Sequence, residues 1–338
     1  MGNFMKAMVL DAPGGRLVER RMPRPRPGPG EILVRVHACG VCRTDLHILD
    51  GDLVPPSWPV IPGHEIVGHV AALGDGVEGF SLGDRVGVAW LGGACGECEY
   101  CLRGEENLCS KAEFTGFSRP GGYAQYLAAR ADFVYRLPPG EDLSMAPLLC
   151  AGLIGYRTWR LAGRAERVGL YGFGAAAHIL AQILRIEGKQ VYAFTRPGDE
   201  RTQAFARRLG ATWAGGSDET PPDPLDAALI FAPVGALVPA ALAAVRPGGS
   251  VVCGGIHMSD IPRFPYSLLW GERRLCSVAN LTRADGVDFF RVTRKSRLNI
   301  ETHPYPLGAA NEALDDLRAG RFEGAAVLAI DEDEVGLD

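Results

Sequence analysis

No apolar run in this 338-residue chain approaches the roughly 20 residues that a membrane span requires. Basic charge is not in excess either. Lys and Arg number 35 against 40 Asp and Glu, leaving a net charge of −5 with the basic residues scattered. That balance argues against nucleic acid or an anionic membrane as partner. The one dense basic stretch, Arg16 to Arg26, is interleaved with prolines up to Pro29 and reads as a solvated loop. The N-terminus, Met1-Gly-Asn-Phe-Met5-Lys, lacks the apolar stretch of a signal peptide. Gly2 does not begin a myristoylation motif, because position 6 is Lys rather than Ser or Thr. Met5 is an alternative start of translation. No internal repeat is present, and the expectation is a soluble, cytoplasmic protein.

Cysteine, by contrast, is plentiful. Nine cysteines in such a chain suit metal binding better than a disulfide framework. Four form the run Cys95-Gly-Glu-Cys98-Glu-Tyr-Cys101, closed by Cys109. Thiolates this close can converge on one tetrahedral Zn2+ with Zn–S distances of about 2.3 Å. Four sulfurs leave no open position, so the expected site, in a lobe at about 93–112, is closed and structural. The lobe's tip carries Glu97, Glu99, Glu105 and Glu106 against Arg103, so a zinc ribbon gripping phosphates is disfavoured. Cys39, Cys253 and Cys276 sit in apolar or strand-like settings and read as small buried residues.

The chain falls into three blocks. Residues 1 to about 150 are rich in Gly and Pro, with short β-type runs at Lys6–Leu10, Glu31–His37, Ile66–Leu73 and Arg85–Trp90. Turn signals separate them, so this block predicts a mostly-β domain of irregular barrel type. Near Leu153 strands and helices begin to alternate. Strands are expected at Arg167–Tyr171, Gln190–Thr195, Ala227–Phe231 and Ser250–Cys253, the last after a Pro247-Gly-Gly249 turn. Helices are expected at Ala175–Glu187, Glu200–Leu209 and Leu237–Val245. Such alternation predicts an α/β fold with a doubly wound parallel sheet. From about Lys295 a strand at Glu301–Tyr305, a helix at Leu307–Ala319 and a strand at Gly324–Ile330 are too few for a domain and should pack back on the first block. The acidic end, Asp331–Asp338, is expected to fray.

The turn Gly172-Phe173-Gly174-Ala175-Ala-Ala177 follows a predicted strand and opens a predicted helix, the G-x-G-x-x-A pattern of dinucleotide binding. Gly172 permits the tight turn, Gly174 lets the backbone approach a pyrophosphate, and Ala177 lets the helix pack on the strand. The helix N-terminus supplies N–H groups and partial positive charge for the phosphates. An acid about 20 residues on would bind the ribose 2′-OH of NAD. Here the second strand ends Phe194-Thr195-Arg196, with no acid. Thr195 and Arg196 could instead meet a 2′-phosphate, so NADP(H) is expected over NAD(H).

Three further segments contain Cys42-Arg43-Thr44-Asp45-Leu-His47, Gly63-His64-Glu65-Ile-Val-Gly68 and Leu149-Cys150-Ala-Gly. With the four-Cys lobe and the nucleotide fold, in this order, the chain resembles the zinc-dependent alcohol dehydrogenases of the medium-chain dehydrogenase/reductase superfamily nearly end to end. The resemblance implies a GroES-like catalytic domain at 1–151 and 296–338, a Rossmann NAD(P)-binding domain at 152–295, and an active site in the cleft between them. It implies two Zn2+ per chain. The catalytic one is held by Cys42, His64 and Cys150, a Cys2His set with one open position, and the structural one by Cys95, Cys98, Cys101 and Cys109. Glu65 would stand by as an alternate ligand. Thr44 would bond the substrate oxygen and begin a proton relay that His47 continues. Asp45 would orient His64, and Arg43 would lie near the cofactor pyrophosphate. Many relatives carry Gly-Arg before the last apolar run, where this chain has Gly324-Ala325-Ala326, so phosphate binding falls more on Arg43 and the helix end.

The implied reaction is reversible hydride transfer between a primary or secondary alcohol and the nicotinamide, run mainly as aldehyde reduction if NADPH is the partner. Trp58 and Trp90 are candidates to line an apolar substrate cleft, which opposes a polyol or amino-alcohol substrate. A zinc-free quinone or enone reductase would not need Cys42, His64 and Cys150 together. A zinc-ribbon or purely structural protein is the non-enzyme alternative. The partner is a small-molecule alcohol or aldehyde, and a homotetramer or homodimer is expected from relatives of this length. Of the remaining histidines, His37 and His69 sit on predicted strands, His178 packs or caps in the nucleotide helix, and His257 and His303 read as surface or loop residues.

Overall fold

The computed structural model describes residues 3–294 and 298–330. Two compact units divide the chain. One takes the described residues of Met1–Cys150, Thr282–Phe290 and Ile300–Asp338, the other those of Ala151–Leu281 and Arg291–Asn299. The acidic end, 331–338, lies outside the described residues.

The first unit is mostly β. Its main sheet runs Thr302–Pro306, Ala325–Ala329, Glu31–Val41, Ile66–Leu73, Arg85–Val88, Val134–Arg136, with Tyr126–Arg130 pairing to the first half of Glu31–Val41. Glu31–Val41 is the spine. Ile32, Val34, Val36, Cys39 and Val41 are all buried in one core with Ile66, Val86, Leu127 and Leu328. The strand therefore continues past His37, where alternation in the sequence fades. Its register against Ile66–Leu73 slips twice, between Leu33 and Val34 and between Val36 and Ala38. The first slip leaves Ala71 as the extra residue on Ile66–Leu73 and the second leaves His37 on Glu31–Val41, and such bulges bend a strand and increase its twist. The late segment does return to this unit, since Ala325–Ala329 pairs antiparallel with Glu31–Val41.

The Arg16–Arg26 stretch is not a loop throughout. Val18–Pro23 forms a strand paired with Phe4–Val9. Its residues alternate between exposed and half-buried. Arginine stems can cover apolar surface while their heads stay in water, so a charged run fits an edge strand.

The second unit carries six parallel strands in the order Trp213–Gly216, Gln190–Thr195, Arg167–Tyr171, Leu225–Ile230, Val245–Cys253, Arg274–Ser277. Numbered along the chain this is 3-2-1-4-5-6, the doubly wound Rossmann order. The central strands are buried on both faces; Leu225, Ala227, Ala228, Leu229 and Ile230 are fully covered. The expected Pro247-Gly-Gly249 turn is a bulge inside a longer strand: Val245 pairs with Leu225, and pairing resumes at Ser250 with Ala227. Cys276 is exposed, not buried. It lies on the last strand of the sheet, which has a neighbour on one side only, so apolar flanks there do not guarantee burial. His303 is on a strand rather than in a loop, with its ring Nε2 2.9 Å from the Glu323 carbonyl.

Candidate active site

The site begins with an unusual helix cap. The helix Arg43–Asp50 starts from Cys42, whose sulfur accepts the Thr44 N–H at 3.3 Å. Asp45 completes a capping box by accepting the Cys42 N–H on Oδ2 at 3.0 Å. A helix N-terminus favours negative charge, so the sulfur there is predisposed to be a thiolate.

Asp45 is fully buried and holds the next segment too. Its Oδ1 accepts the Gly63 N–H at 3.2 Å and lies 3.4 Å from His64 Nδ1. That last contact is an electrostatic pairing rather than a well-formed hydrogen bond, since no hydrogen-bond partner is satisfied at Nδ1. Gly63 is required at its place: its φ is +96°, and a Cβ would run into the Tyr123 ring and the Cys39 sulfur. Gly40 is required for a different reason, because a Cβ there would overlap the Glu65 carboxylate.

These constraints bring four side chains together. Cys42 Sγ is 3.2 Å from His64 Nε2 and 4.0 Å from Cys150 Sγ, and with Glu65 the ligand atoms lie within 4.8 Å of one another. Cys150 is carried by the turn Ala146–Leu149, whose four residues are all buried. A hydrogen bond from the Cys150 thiol, then the charge of His64, hold the Cys42 thiol well below its usual range. The same bond and burial push Cys150 up, so the pair shares one proton with Cys42 as the thiolate. Burial works against His64, but the charges of Cys42 and Asp45 outweigh it and raise its pKa. Burial, then Cys42, raises Glu65.

Does this set fit a metal? Two sulfurs on one tetrahedral Zn2+ stand about 3.8 Å apart, and a sulfur and a nitrogen about 3.6 Å. The 4.0 and 3.2 Å seen here lie within about 0.4 Å of those values, and the donors are the soft and borderline atoms that zinc takes. The set fits. So does the second one. Cys95–Cys101, Cys98–Cys101 and Cys95–Cys109 sulfurs are 3.9, 3.5 and 3.6 Å apart. Backbone N–H groups of Glu97 and Cys98 lower the Cys95 thiol to about 6. The lobe has little else to hold it. Its core is Leu91, Ala94, Cys109 and Phe133, and the buried Glu106 ties it to Arg283 through N and Nε at 3.0 and 2.9 Å.

In the second unit, Gly172 ends the first strand with φ +88°, and a Cβ would press on Ala232. The helix Ala175–Ile186 starts at Gly174 with no side-chain cap, and no atom lies within 4 Å of where a Gly174 Cβ would be. Uncapped N–H groups facing open space are what a phosphate needs. Phe173 and Ala177 are buried, and Ala175 is partly covered. Thr195 is buried, with its hydroxyl 3.0 Å from the Arg196 carbonyl and accepting from Gln203 Nε2 at 3.2 Å, while Arg196 is exposed. Arg43 is exposed at the first turn of its helix.

Residues 28–139 match the family model described as the alcohol dehydrogenase GroES-like domain. Over 318 residues, 90% of this chain and 90% of the relative, the chain is 49% identical to a Mycobacterium tuberculosis protein described as "Probable alcohol dehydrogenase AdhA". The chain belongs to the medium-chain alcohol dehydrogenase family. Solved structures agree. A cobalt- and zinc-bound thermostable alcohol dehydrogenase from Pyrobaculum aerophilum superposes with TM-score 0.87 at 27% identity, covering 96% of this chain and 99% of that one. Acetophenone reductase from Geotrichum candidum, in complex with NAD, gives 0.87 at 27%, covering 99% of each chain.

Beside the ligand set of this alcohol dehydrogenase family member stands an aromatic wall that the sequence reading only half found. Trp90 meets the His64 ring edge-on at 4.9 Å and stacks on Phe114 at 5.3 Å, with Phe117 at 5.7 Å. Trp58 is partly buried against the barrel core. No spacing signal marks Phe114 or Phe117; both follow the cysteine lobe in sequence and come back to Trp90 only because Leu91–Gly93 pairs with Glu113–Phe114. His47 is partly exposed, with Nδ1 2.9 Å from Asp52 Oδ2.

Proposed function

We propose that the chain is a zinc-dependent, NAD(P)(H)-linked alcohol dehydrogenase that acts mainly as an aldehyde reductase on apolar substrates. One observation carries this reading: two sulfurs and an imidazole converge within bonding reach of a single ion, with the imidazole backed by a buried carboxylate. Cys42, His64 and Cys150 would hold the catalytic zinc, with Glu65 as alternate ligand, and Cys95, Cys98, Cys101 and Cys109 the structural one. Bound at the first set, zinc supplies the Lewis acidity that brings a hydroxyl's pKa from about 15.7 towards neutrality. A nicotinamide bound at the glycine turn would supply the hydride chemistry.

The chain's own residues do the rest. Asp45 fixes His64 and caps Cys42 at once. In reduction Thr44 would donate its hydroxyl proton to the substrate oxygen while taking another from the relay, and His47, three residues on and so on the same helix face, would bring that proton in beside Asp52; oxidation would run the same relay in reverse. Trp90, backed by Phe114 and Phe117, and Trp58 present apolar surface, which suits aryl or alkyl aldehydes over polyols. Gly172, Gly174 and the uncapped helix start, with Phe173, Ala175 and Ala177, receive the cofactor, and Arg43, by the family resemblance, would pair with its pyrophosphate. Since Thr195 spends its hydroxyl internally, the 2′-phosphate contact falls to Arg196, and NADP(H) is preferred to NAD(H). A homodimer or homotetramer in the cytoplasm completes the reading; light scattering after gel filtration checks the first.

The test is turnover of benzaldehyde or cinnamaldehyde with NADPH. Activity should vanish in Cys150→Ser and after chelation, and return with zinc. Full-speed reduction by the stripped enzyme would refute the reading. A higher kcat/KM with NADH than with NADPH would refute the cofactor preference alone.

A further inference from the structure

Away from both cysteine sets, three more metal-ligating side chains converge, and the proposed reaction uses none of them. His37 lies on Glu31–Val41, His69 on the neighbouring strand Ile66–Leu73, and Asp142 opens the short helix Asp142–Met145. Strand register explains the meeting of the histidines. His69 stands opposite Arg35, and the pairing then slips between Val36 and Ala38, so His37 is the extra residue of a bulge. A bulged residue leaves the ladder and its side chain is re-aimed. Here His37 Nε2 comes to 3.3 Å from His69 Nδ1, with ring centroids 4.5 Å apart. On its other side His37 Nδ1 lies 3.3 Å from Asp142 Oδ2. One ligand atom from each of the three residues falls within 4.8 Å of the others.

The rest of the carboxylate is already committed. Arg85 donates from Nε to Asp142 Oδ1 at 2.6 Å and from Nη1 to the Pro138 carbonyl at 2.7 Å. Asp142 is thereby fixed, with Oδ2 against His37 Nδ1, the ring nitrogen opposite the one that meets His69. Two nitrogens on one tetrahedral ion, each at about 2.1 Å, stand about 3.4 Å apart; these two stand at 3.3 Å. The side chains of His37 and Asp142 are 30% and 24% exposed, so an ion can enter from solvent and water can fill its remaining positions.

We propose that His37, His69 and Asp142 form a third divalent-metal site, selective for borderline transition ions such as Zn2+, Ni2+ or Co2+. Two imidazoles with one carboxylate match those ions and not Ca2+ or Mg2+, which take oxygen. Arg85 on the carboxylate and Arg35 opposite His69 add positive charge nearby. The site is therefore weaker than either thiolate set and fills last.

Equilibrium dialysis of the zinc-loaded chain against micromolar free Zn2+ tests this, with metal counted per chain for the wild type, His37→Ala and His69→Gln. Each variant should bind one equivalent fewer than wild type and melt cooperatively, lower than wild type only while free Zn2+ is present. The reading is a difference, so it holds however many ions the cysteine sets retain. If His37→Ala fails to fold, His69→Gln carries the test. Equal zinc in wild type and His69→Gln would overturn the site and leave the trio as a hydrogen-bonded relay.

Discussion

Cys42 meets two demands with one atom. Its sulfur caps a helix and belongs to the candidate ligand set. Serine is among the best N-cap residues, so Cys42→Ser should keep the helix and the melting temperature. Turnover should nonetheless fall by more than the roughly 10–100-fold that loss of a mere supporting partner costs. NADPH consumption read alongside calorimetry checks both halves, and wild-type turnover would remove Cys42 from the set. His178 makes a different kind of prediction. Burial holds its pKa at about 4, against the pull of the Gly174 and Ala175 carbonyls. The unfolded ring binds its proton near 6.5. Between those values the unfolded chain carries the extra proton, so this residue's share of stability is lost as pH falls, by at most about 1.4 kcal/mol per unit. His178→Gln should flatten that part of the stability–pH curve measured by denaturant melts between pH 6.5 and pH 4. A curve identical to wild type would show that the ring is protonated in the fold.

At the scale of elements, the parallel sheet was the most legible part of the sequence. Arg167–Tyr171 and Gln190–Thr195 are short apolar runs bounded by turn signals, and the structure keeps those bounds. What stayed hidden shares a cause: the stabilising partner is distant or the signal is short. Trp213–Gly216 is four residues with two glycines and is a strand only because Gln190–Thr195 pairs with it. Arg43–Asp50 is a helix of eight residues whose cap is a cysteine, which no capping rule flags. Cysteine spacing made the four-sulfur set visible, the Cys42–His64–Cys150 set was legible only through the family resemblance, and the aromatic wall around Trp90 depended on a two-strand pairing that no local pattern announces. The Cys95–Cys109 lobe holds a small apolar cluster and an ion pair from Glu106 to Arg283. Closed metal sites contribute folding energy where the core is small. Cys98→Ser should therefore lower the melting temperature by several degrees with kcat little changed per folded molecule; an unmoved melting temperature would deny the lobe a structural metal.

At the scale of the whole molecule, both cysteine sets lie in one unit and the nucleotide turn in the other. The two proposed metals would then report on different properties. As proposed, the Cys2His set would leave one position open with Glu65 standing by, and the four-sulfur set would leave none. A slow chelator titration should abolish aldehyde reduction first and lower the melting temperature only later. Simultaneous loss of both would mean that the sets are not independent.

The capping box at Cys42 bears on how the enzyme is made and repaired. Thr44 and Asp45 hold that sulfur and its backbone in place by bonds internal to the chain, and Asp45 also pins the segment carrying the imidazole. These bonds run from side chain to backbone within the chain and need no ion as a partner. Uptake of the proposed zinc would then leave this cap as it stands and call for no new helix start.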